Sequence, residues 1–312
     1  MKIFDFEQIK NRNIAPSDCL KWVECALREK YDCILPGKVS ITTSPDIFFN
    51  TMPVYLHPDK RFGVKIVSRF PDRRPSLQSD ILLYDSLTGE LLAFMDGSWI
   101  TAMRTGAVAA LSISYLQKKA AKNYAFIGLG NTARATLLCL LELVKGPMQI
   151  SLLAYKDQTD SFIERFEGYQ NISFTVYSDV HQMIADSDVI ISSVTVAHDL
   201  FAPDECFKPG VLVVPIHTRG FQNCDLFFDK VFADDVKHVC GFKYFNQFKK
   251  FDEFARVLLG ENPGRESEQE RILVYNIGIA LHDIFFASKI YDKLSAEGKV
   301  LDLNMTTEKF WV

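Results

Sequence analysis

Gly128-Leu129-Gly130-Asn131-Thr132-Ala133 forms a GxGxxA element between the apolar run Tyr124 to Ile127 and a helical run, Thr132 to Lys145. The first glycine of such an element permits a tight turn. The second lets a pyrophosphate approach the backbone, and the small third residue lets helix pack closely on strand. The helix N-terminus adds unpaired N–H groups and a partial positive charge. The alternative is an ordinary tight turn between strand and helix. In a dinucleotide site the end of the next strand reads the ribose. That end is Ala154-Tyr155-Lys156-Asp157, with Lys156 where the acid that selects NAD is expected. A cation there suits the 2′-phosphate of NADP, so NAD, NADP and a plain solvated loop lysine all remain open.

Three further residues have suitable chemistry. Arg104 sits in Trp99 to Leu116, a helix rich in alanine and apolar residues. Buried there, it needs an anion: a substrate carboxylate gripped by its fork, or an internal Asp or Glu. Lys65 interrupts the apolar strand Phe62 to Val67. On a buried face its pKa falls and it suits proton transfer; on a solvated face it is a surface lysine. His217 follows the strand Val211 to Ile216, at the carboxyl end where α/β sheets place ligands. It either exchanges a proton near neutrality or caps the strand. His57, His181, His198, His238 and His282 have no ligand spacing, so no metal site is expected.

Those residues are distributed over two kinds of pattern. After a helix from Ser17 to Tyr31 come short runs rich in β-branched and aromatic residues: Val39 to Thr43, Ile47 to Phe49, Phe62 to Val67, Ile81 to Tyr84 and Leu91 to Met95. They predict an antiparallel or mixed sheet. Beyond Asn123 strands alternate with helices, which predicts a doubly wound parallel sheet of Rossmann type. The expected break lies at Lys118 to Asn123, with 1–119 and 295–312 in one domain and 120–294 in the other. Glu268 to Glu297 is expected to close the chain as one or two helices.

Composition narrows the function classes. The 312 residues are 48% hydrophobic and 24% charged, a globular balance that excludes disorder. Lys and Arg number 35 against 39 Asp and Glu, so the net charge of −4 offers no footprint for nucleic acid or an anionic membrane. No apolar run reaches the ~20 residues a bilayer requires. The seven cysteines are irregularly spaced with no CxxC pair, and the N-terminus lacks a secretory apolar region. Thiols in a reducing cytoplasm are the expectation.

Three segments, in order, resemble the ornithine cyclodeaminase/mu-crystallin family: Pro75 to Thr105 with its MRT, GLGNTARA, and Gly264 to Asp283 (GRESEQERILVYNIGIALHD). The resemblance implies a Rossmann domain beside an α+β domain for substrate binding and dimerisation. It also implies a nicotinamide cofactor, NAD or NADP, a small imino or amino acid substrate, and a homodimer. By that resemblance Lys65 is the active-site lysine and Arg104 grips the substrate carboxylate. Lys38 stands where a second arginine is frequent, and Met52 and Gln78 line the substrate pocket. The expected cofactor contacts are Thr105, Gly128, Gly130, Asn131, Thr132, Ala133, Tyr155, Lys156, Ser193 and Val194. In an ungapped reading His217 replaces the aspartate that serves amine chemistry in cyclodeaminases. A histidine cannot be the anion that holds an ammonium. The expected activity is therefore that of an NAD(P)-dependent imine reductase or amino-acid dehydrogenase. The alternatives are a cyclodeaminase that releases ammonia from a diamino acid, and a non-catalytic NAD(P)-binding protein.

Overall fold

The computed structural model describes residues 1–194, 200–216 and 226–296. The chain starts with β1 (Lys2–Phe4), α1 (Phe6–Lys10), α2 (Pro16–Arg28), β2 (Val39–Ser44), β3 (Ile47–Leu56), β4 (Arg61–Arg69), β5 (Leu77–Asp85) and β6 (Leu91–Asp96). It continues with α3 (Ser98–Leu116), β7 (Asn123–Ile127), α4 (Asn131–Leu143), β8 (Met148–Leu153), α5 (Gln158–Glu164), β9 (Ile172–Tyr177), α6 (Val180–Asp186) and β10 (Val189–Ser192). The remainder is β11 (Leu212–Pro215), β12 (Lys230–Ala233), α7 (Val236–Val239), β13 (Phe251–Glu253), α8 (Phe254–Leu258), β14 (Ile272–Tyr275) and α9 (Ala280–Leu294). None of these helices is long and apolar enough to cross a membrane.

The elements form two units. One comprises Met1–Ile14, Tyr31–Thr101 and the described residues from Ala280 onward. Its six-stranded sheet runs β1-β6-β5-β4-β3-β2, antiparallel except for the β1–β6 pair. Alternation along the strands sends Met52, Val54, Val67, Ile81, Leu83 and Met95 to one buried face. Helix α9 covers that face over β3, β4 and β5. A Cβ on Gly63 of β4 would collide with the Ile284 side chain of α9, so this glycine sets how closely the helix lies on the sheet. The opposite face is apolar but half exposed. Tyr55 and Phe62 touch there with ring centroids 4.8 Å apart. A cavity of about 320 Å³ opens among Ile34, Pro53, Tyr55, Phe62, Val64 and Tyr84.

The second unit comprises Ala15–Lys30 and Ala102–Ile279. Its eight strands are all parallel, in the order β9-β8-β7-β10-β11-β14-β12-β13. Strands β10, β11 and β14 are buried throughout, as expected of a parallel sheet with helices on its faces. The chain winds from β7 through β8 to β9 on one side and resumes from β10 on the other. This reversal makes the carboxyl ends of β7 and β10 the switch point at which open α/β sheets place their ligands.

Two sequence expectations need correction. Glu268 to Glu297 is not purely helical: it contributes β14 before α9, because ILVY is an apolar four-residue run fully enclosed by the sheet. The unit borders also differ from those at residues 119, 120 and 294. Helix α2 and most of α3 belong to the parallel-sheet unit, where α2 packs on α4 and α8 through Cys19, Leu20, Val23, Ala26 and Leu27. Helix α9 joins the first unit because its apolar surface is what closes that sheet.

Candidate functional site

The carboxyl end of β7 carries the glycine turn. Gly128 has φ of +86°, a conformation open to glycine, and a Cβ there would lie 3.0 Å from the carbonyl carbon of Ser193. Ser193 follows β10 and locks the two strand ends together: its N–H donates to the Ile127 carbonyl at 2.8 Å and its Oγ to the Gly128 carbonyl at 2.8 Å. Val194 follows at the same edge.

Gly130 is the N-cap of α4, with φ of −76°. Its conformation is open to any residue, yet a Cβ there would meet no atom of the described residues within 4 Å. Gly130 is therefore small neither for backbone strain nor for internal packing; the free space lies in front of a helix N-terminus. The first helical bond runs from the Arg134 N–H to the Gly130 carbonyl, so the N–H groups of Asn131, Thr132 and Ala133 precede it. Gly130 has no side chain with which to cap them. Ala133 is fully buried against the sheet. This set fits the pyrophosphate of a dinucleotide: an uncapped helix start, room for close approach and the positive end of the helix dipole.

Tyr155 and Lys156 follow β8. Tyr155 is half exposed, Lys156 has φ of +51°, and its Nζ lies 5.0 Å above the Tyr155 ring.

Helix α3 brings Arg104 and Thr105 to this unit, both buried. A Cβ on the following Gly106 would overlap the backbone of Ala135 and Thr136, so α3 and α4 touch backbone to backbone at that point. Arg104 and Thr105 are thereby set beside the helix that opens with the glycine turn. The Arg104 guanidinium rests on the Cα of Gly278, where a Cβ would overlap Nη1. Gly278 has φ of +96° and its N–H donates to Oδ2 of Asp234, just beyond β12. Burial raises the pKa of Asp234.

In the first unit, Lys65 points to the buried face of β4. Its Nζ lies 2.9 Å from Oδ1 of Asp283 on α9, and both side chains are sealed from water. Two residues along the same strand face, Gly63 admits Ile284, so the close seating of α9 also brings Asp283 to the lysine. Met52 is buried directly opposite Lys65 in the β3–β4 ladder. Gln78 pairs with Ser68 and so lies on the other face of the sheet from Lys65. Lys38, half buried, precedes the exposed edge strand β2. The structure thus groups Lys65 with Met52 but not with Gln78. His217 lies outside the described residues, as does His198. No group of three or more His, Cys, Asp or Glu is placed to hold a metal among the described residues.

Sequence reasoning missed Asp234 and Gly106, and it quoted Gly278 and Asp283 only as part of a motif. An aspartate inside the apolar run IALHDIFFA and an Asp-Asp pair directly after VFA were the available signals, since charges in such settings need partners.

The profile of the ornithine cyclodeaminase/mu-crystallin family matches residues 3–298. A nodulation efficiency protein, NfeD, of Rhizobium meliloti is 25% identical over 90% of this chain and 91% of its own. A Δ(1)-pyrroline-2-carboxylate reductase of Bacillus cereus is 24% identical over 79% and 82%. Among solved structures, the Thermococcus litoralis Δ(1)-pyrroline-2-carboxylate reductase in complex with NADH and L-proline has a TM-score of 0.87 at 23% identity, over 96% of this chain and 100% of its own. An archaeal alanine dehydrogenase dimer with bound NAD has a TM-score of 0.84 at 21% identity, over 97% and 99%. With the glycine turn, the buried arginine and the match along nearly its whole length, the chain belongs to the ornithine cyclodeaminase/mu-crystallin family.

Proposed function

We propose that this protein is an NAD(P)-dependent oxidoreductase acting on the C–N bond of a small imino or amino acid. The observation that carries the reading is the open space in front of Gly130 at the start of α4, at the reversal point of the parallel sheet. Asn131, Thr132 and Ala133 offer their N–H groups to the cofactor's phosphates there, and Ser193 and Val194 border the crevice. Thr105 belongs to the same contact set. Tyr155 and Lys156 take the ribose end, where no acid stands at Ala154, Tyr155 or Lys156. Bound in this crevice, the nicotinamide supplies a hydride to, or takes one from, the substrate carbon.

The chain's own residues supply binding and the proton. Arg104 holds the substrate carboxylate with two parallel N–H donors, which orients the adjacent carbon. Reduction of a C=N bond places hydride on carbon and requires one proton on nitrogen. Lys65 carries that proton at Nζ, and Asp283 at 2.9 Å supports the ammonium form. Met52 packs beside it, and His217 is the second candidate for the proton. Lys38 and Gln78 stay in the proposal as substrate-side residues of the first unit.

A homodimer belongs to the same reading. The half-exposed apolar face of the six-stranded sheet, with its cavity around Phe62 and Tyr84, suits a second copy of this chain. The related alanine dehydrogenase is described as a dimer. A cytoplasmic setting rests on the cysteine spacing.

The test is a panel of cyclic imines and amino acids assayed with both cofactors. Stoichiometric consumption of NADH or NADPH as an imine is added is expected. Ammonia release from ornithine at steady nicotinamide absorbance would overturn the reading. In the active pair, Arg104→Ala is expected to raise KM by about 10²-fold and leave cofactor affinity intact; an unchanged KM removes Arg104 from the site.

A further inference from the structure

Asp234 has an unusual setting for a residue outside the glycine turn. It follows β12 and is almost fully buried. Its backbone is held at both ends: its N–H donates to the Tyr275 carbonyl at 3.1 Å, and its carbonyl accepts from Lys30 Nζ at 2.7 Å. Lys30 is itself fixed by Glu253 at 2.8 Å and Asp235 at 3.2 Å. The carboxylate then accepts the Gly278 N–H at Oδ2, while Oδ1 is buried with no hydrogen-bond partner among the described residues. A carboxylate bond to a backbone N–H is about twice as strong as a neutral one.

Gly278 is the residue on which the Arg104 guanidinium rests. The other end of its turn is tied to the arginine's own helix. Asn276 donates through Nδ2 to Ser112 Oγ on α3 at 2.9 Å, and its N–H donates to the Pro215 carbonyl at 3.0 Å. The turn from 276 to 279 is thus a seat for the guanidinium, pinned to α3 at one end and to Asp234 at the other.

We propose that Asp234 is a positioning residue that holds the Arg104 guanidinium in its carboxylate-gripping geometry by fixing the backbone of Gly278. The inference rests on the reading of Arg104 as the carboxylate anchor. A bidentate grip depends on orientation, so a loosened seat weakens substrate binding ahead of any other step. The dinucleotide turn, at β7 and α4, does not depend on this seat.

The experiment compares Asp234→Ala, Asp234→Asn, Gly278→Ala, Arg104→Ala and the Asp234→Ala/Arg104→Ala pair. Each is assayed for KM and kcat with Δ1-pyrroline-2-carboxylate at saturating NADH or NADPH, and for NADH affinity by fluorescence. Asp234→Ala is expected to raise KM by about tenfold, with kcat and NADH affinity within about twofold of the parent. Asp234→Asn, whose amide oxygen still accepts from Gly278, recovers most of that loss. Gly278→Ala, which keeps the carboxylate but intrudes on the guanidinium, raises KM in the same way. The double variant is no worse than Arg104→Ala alone, because the two losses are one loss. Multiplying effects, equal loss of NADH affinity, or an Asn variant as poor as Ala would each overturn the positioning role. An Arg104→Ala protein with unchanged KM would defeat the carboxylate reading instead. The crystal structure of Asp234→Ala then decides the positioning claim by itself: a displaced guanidinium upholds it, an unmoved one overturns it.

Discussion

Lys65 Nζ stands 2.9 Å from Asp283 Oδ1, with neither side chain reached by solvent. Two opposite charges withdrawn from water in this way stabilise a fold little, and often less than two apolar side chains of similar size. Removing one of them is costly, since the other is left buried and uncompensated.

The pair separates stability from chemistry. Lys65→Ala is expected to destabilise the fold by about 3–5 kcal/mol. It is also expected to reduce kcat by about 10²-fold or more. A Lys65→Met/Asp283→Leu protein should recover most of the melting temperature and none of the turnover. Calorimetry and steady-state kinetics on the two proteins make the check; parental kcat in the double variant would assign the lysine to structure alone.

Gly128 and Gly130 should respond in opposite ways. Gly130→Ala adds a methyl where no atom of the described residues lies within 4 Å, so thermal stability is expected within about 0.5 kcal/mol of the parent. Cofactor affinity should fall about tenfold or more, because the methyl occupies the space offered to phosphate. Gly128→Ala forces a side chain into φ of +86° against the Ser193 backbone and should cost about 1–2 kcal/mol or more of stability. Melting curves with and without NADH and NADPH separate the two. Undiminished affinity in Gly130→Ala would place the cofactor elsewhere.

Acid should unlatch the parallel sheet at Asp188. Its Oδ1 meets Lys118 and Lys208 at 2.7 and 2.8 Å, and its Oδ2 accepts the N–H groups of Lys122 and Asn123 at 2.8 and 3.1 Å. Burial alone would raise its pKa, but these donors outweigh burial and hold the carboxyl below the usual carboxylate range. The folded pKa lies below the unfolded one. The stabilisation is therefore complete at neutral pH and is lost as pH falls below about 4, through the folded value. Wild type should exceed Asp188→Asn in melting temperature by a constant margin between about pH 5 and 8, and the margin should shrink below about pH 4. A margin that persists undiminished at low pH contradicts the assignment.

The open sheet face should respond to charge. Phe62 is 44% exposed and beside an apolar cavity. Phe62→Lys is expected to leave each chain folded while converting the proposed dimer to monomer at micromolar concentration, read by analytical ultracentrifugation with circular dichroism as control. A dimer of unchanged affinity would move the interface away from this face.

Much of this was legible in the chain because it depends on local pattern. The GxGxxA turn declares itself by apolar strand, glycines and helix in sequence, and positive φ at Gly128 is a backbone need that only its residue type satisfies cheaply. Period-two alternation in β4 showed that Lys65 shared a side with Gly63 and Val67, but not whether that side was covered. What remained open was every relation between distant segments. That Asp283 is the lysine's partner follows from how closely α9 lies on Gly63, a distance set by packing 220 residues away in sequence (283 − 63). The place of Arg104 depends on Gly106 meeting the backbone of α4 and on the seat at Gly278, neither of which has a periodic signature. The sequence of strand β14 is equally compatible with helix, because four apolar residues fit either period until the sheet around them is known. Residue types determined which chemistry this protein can carry; the tertiary structure alone decided which charges meet, because burial and long-range contact are properties of the folded packing and not of any segment.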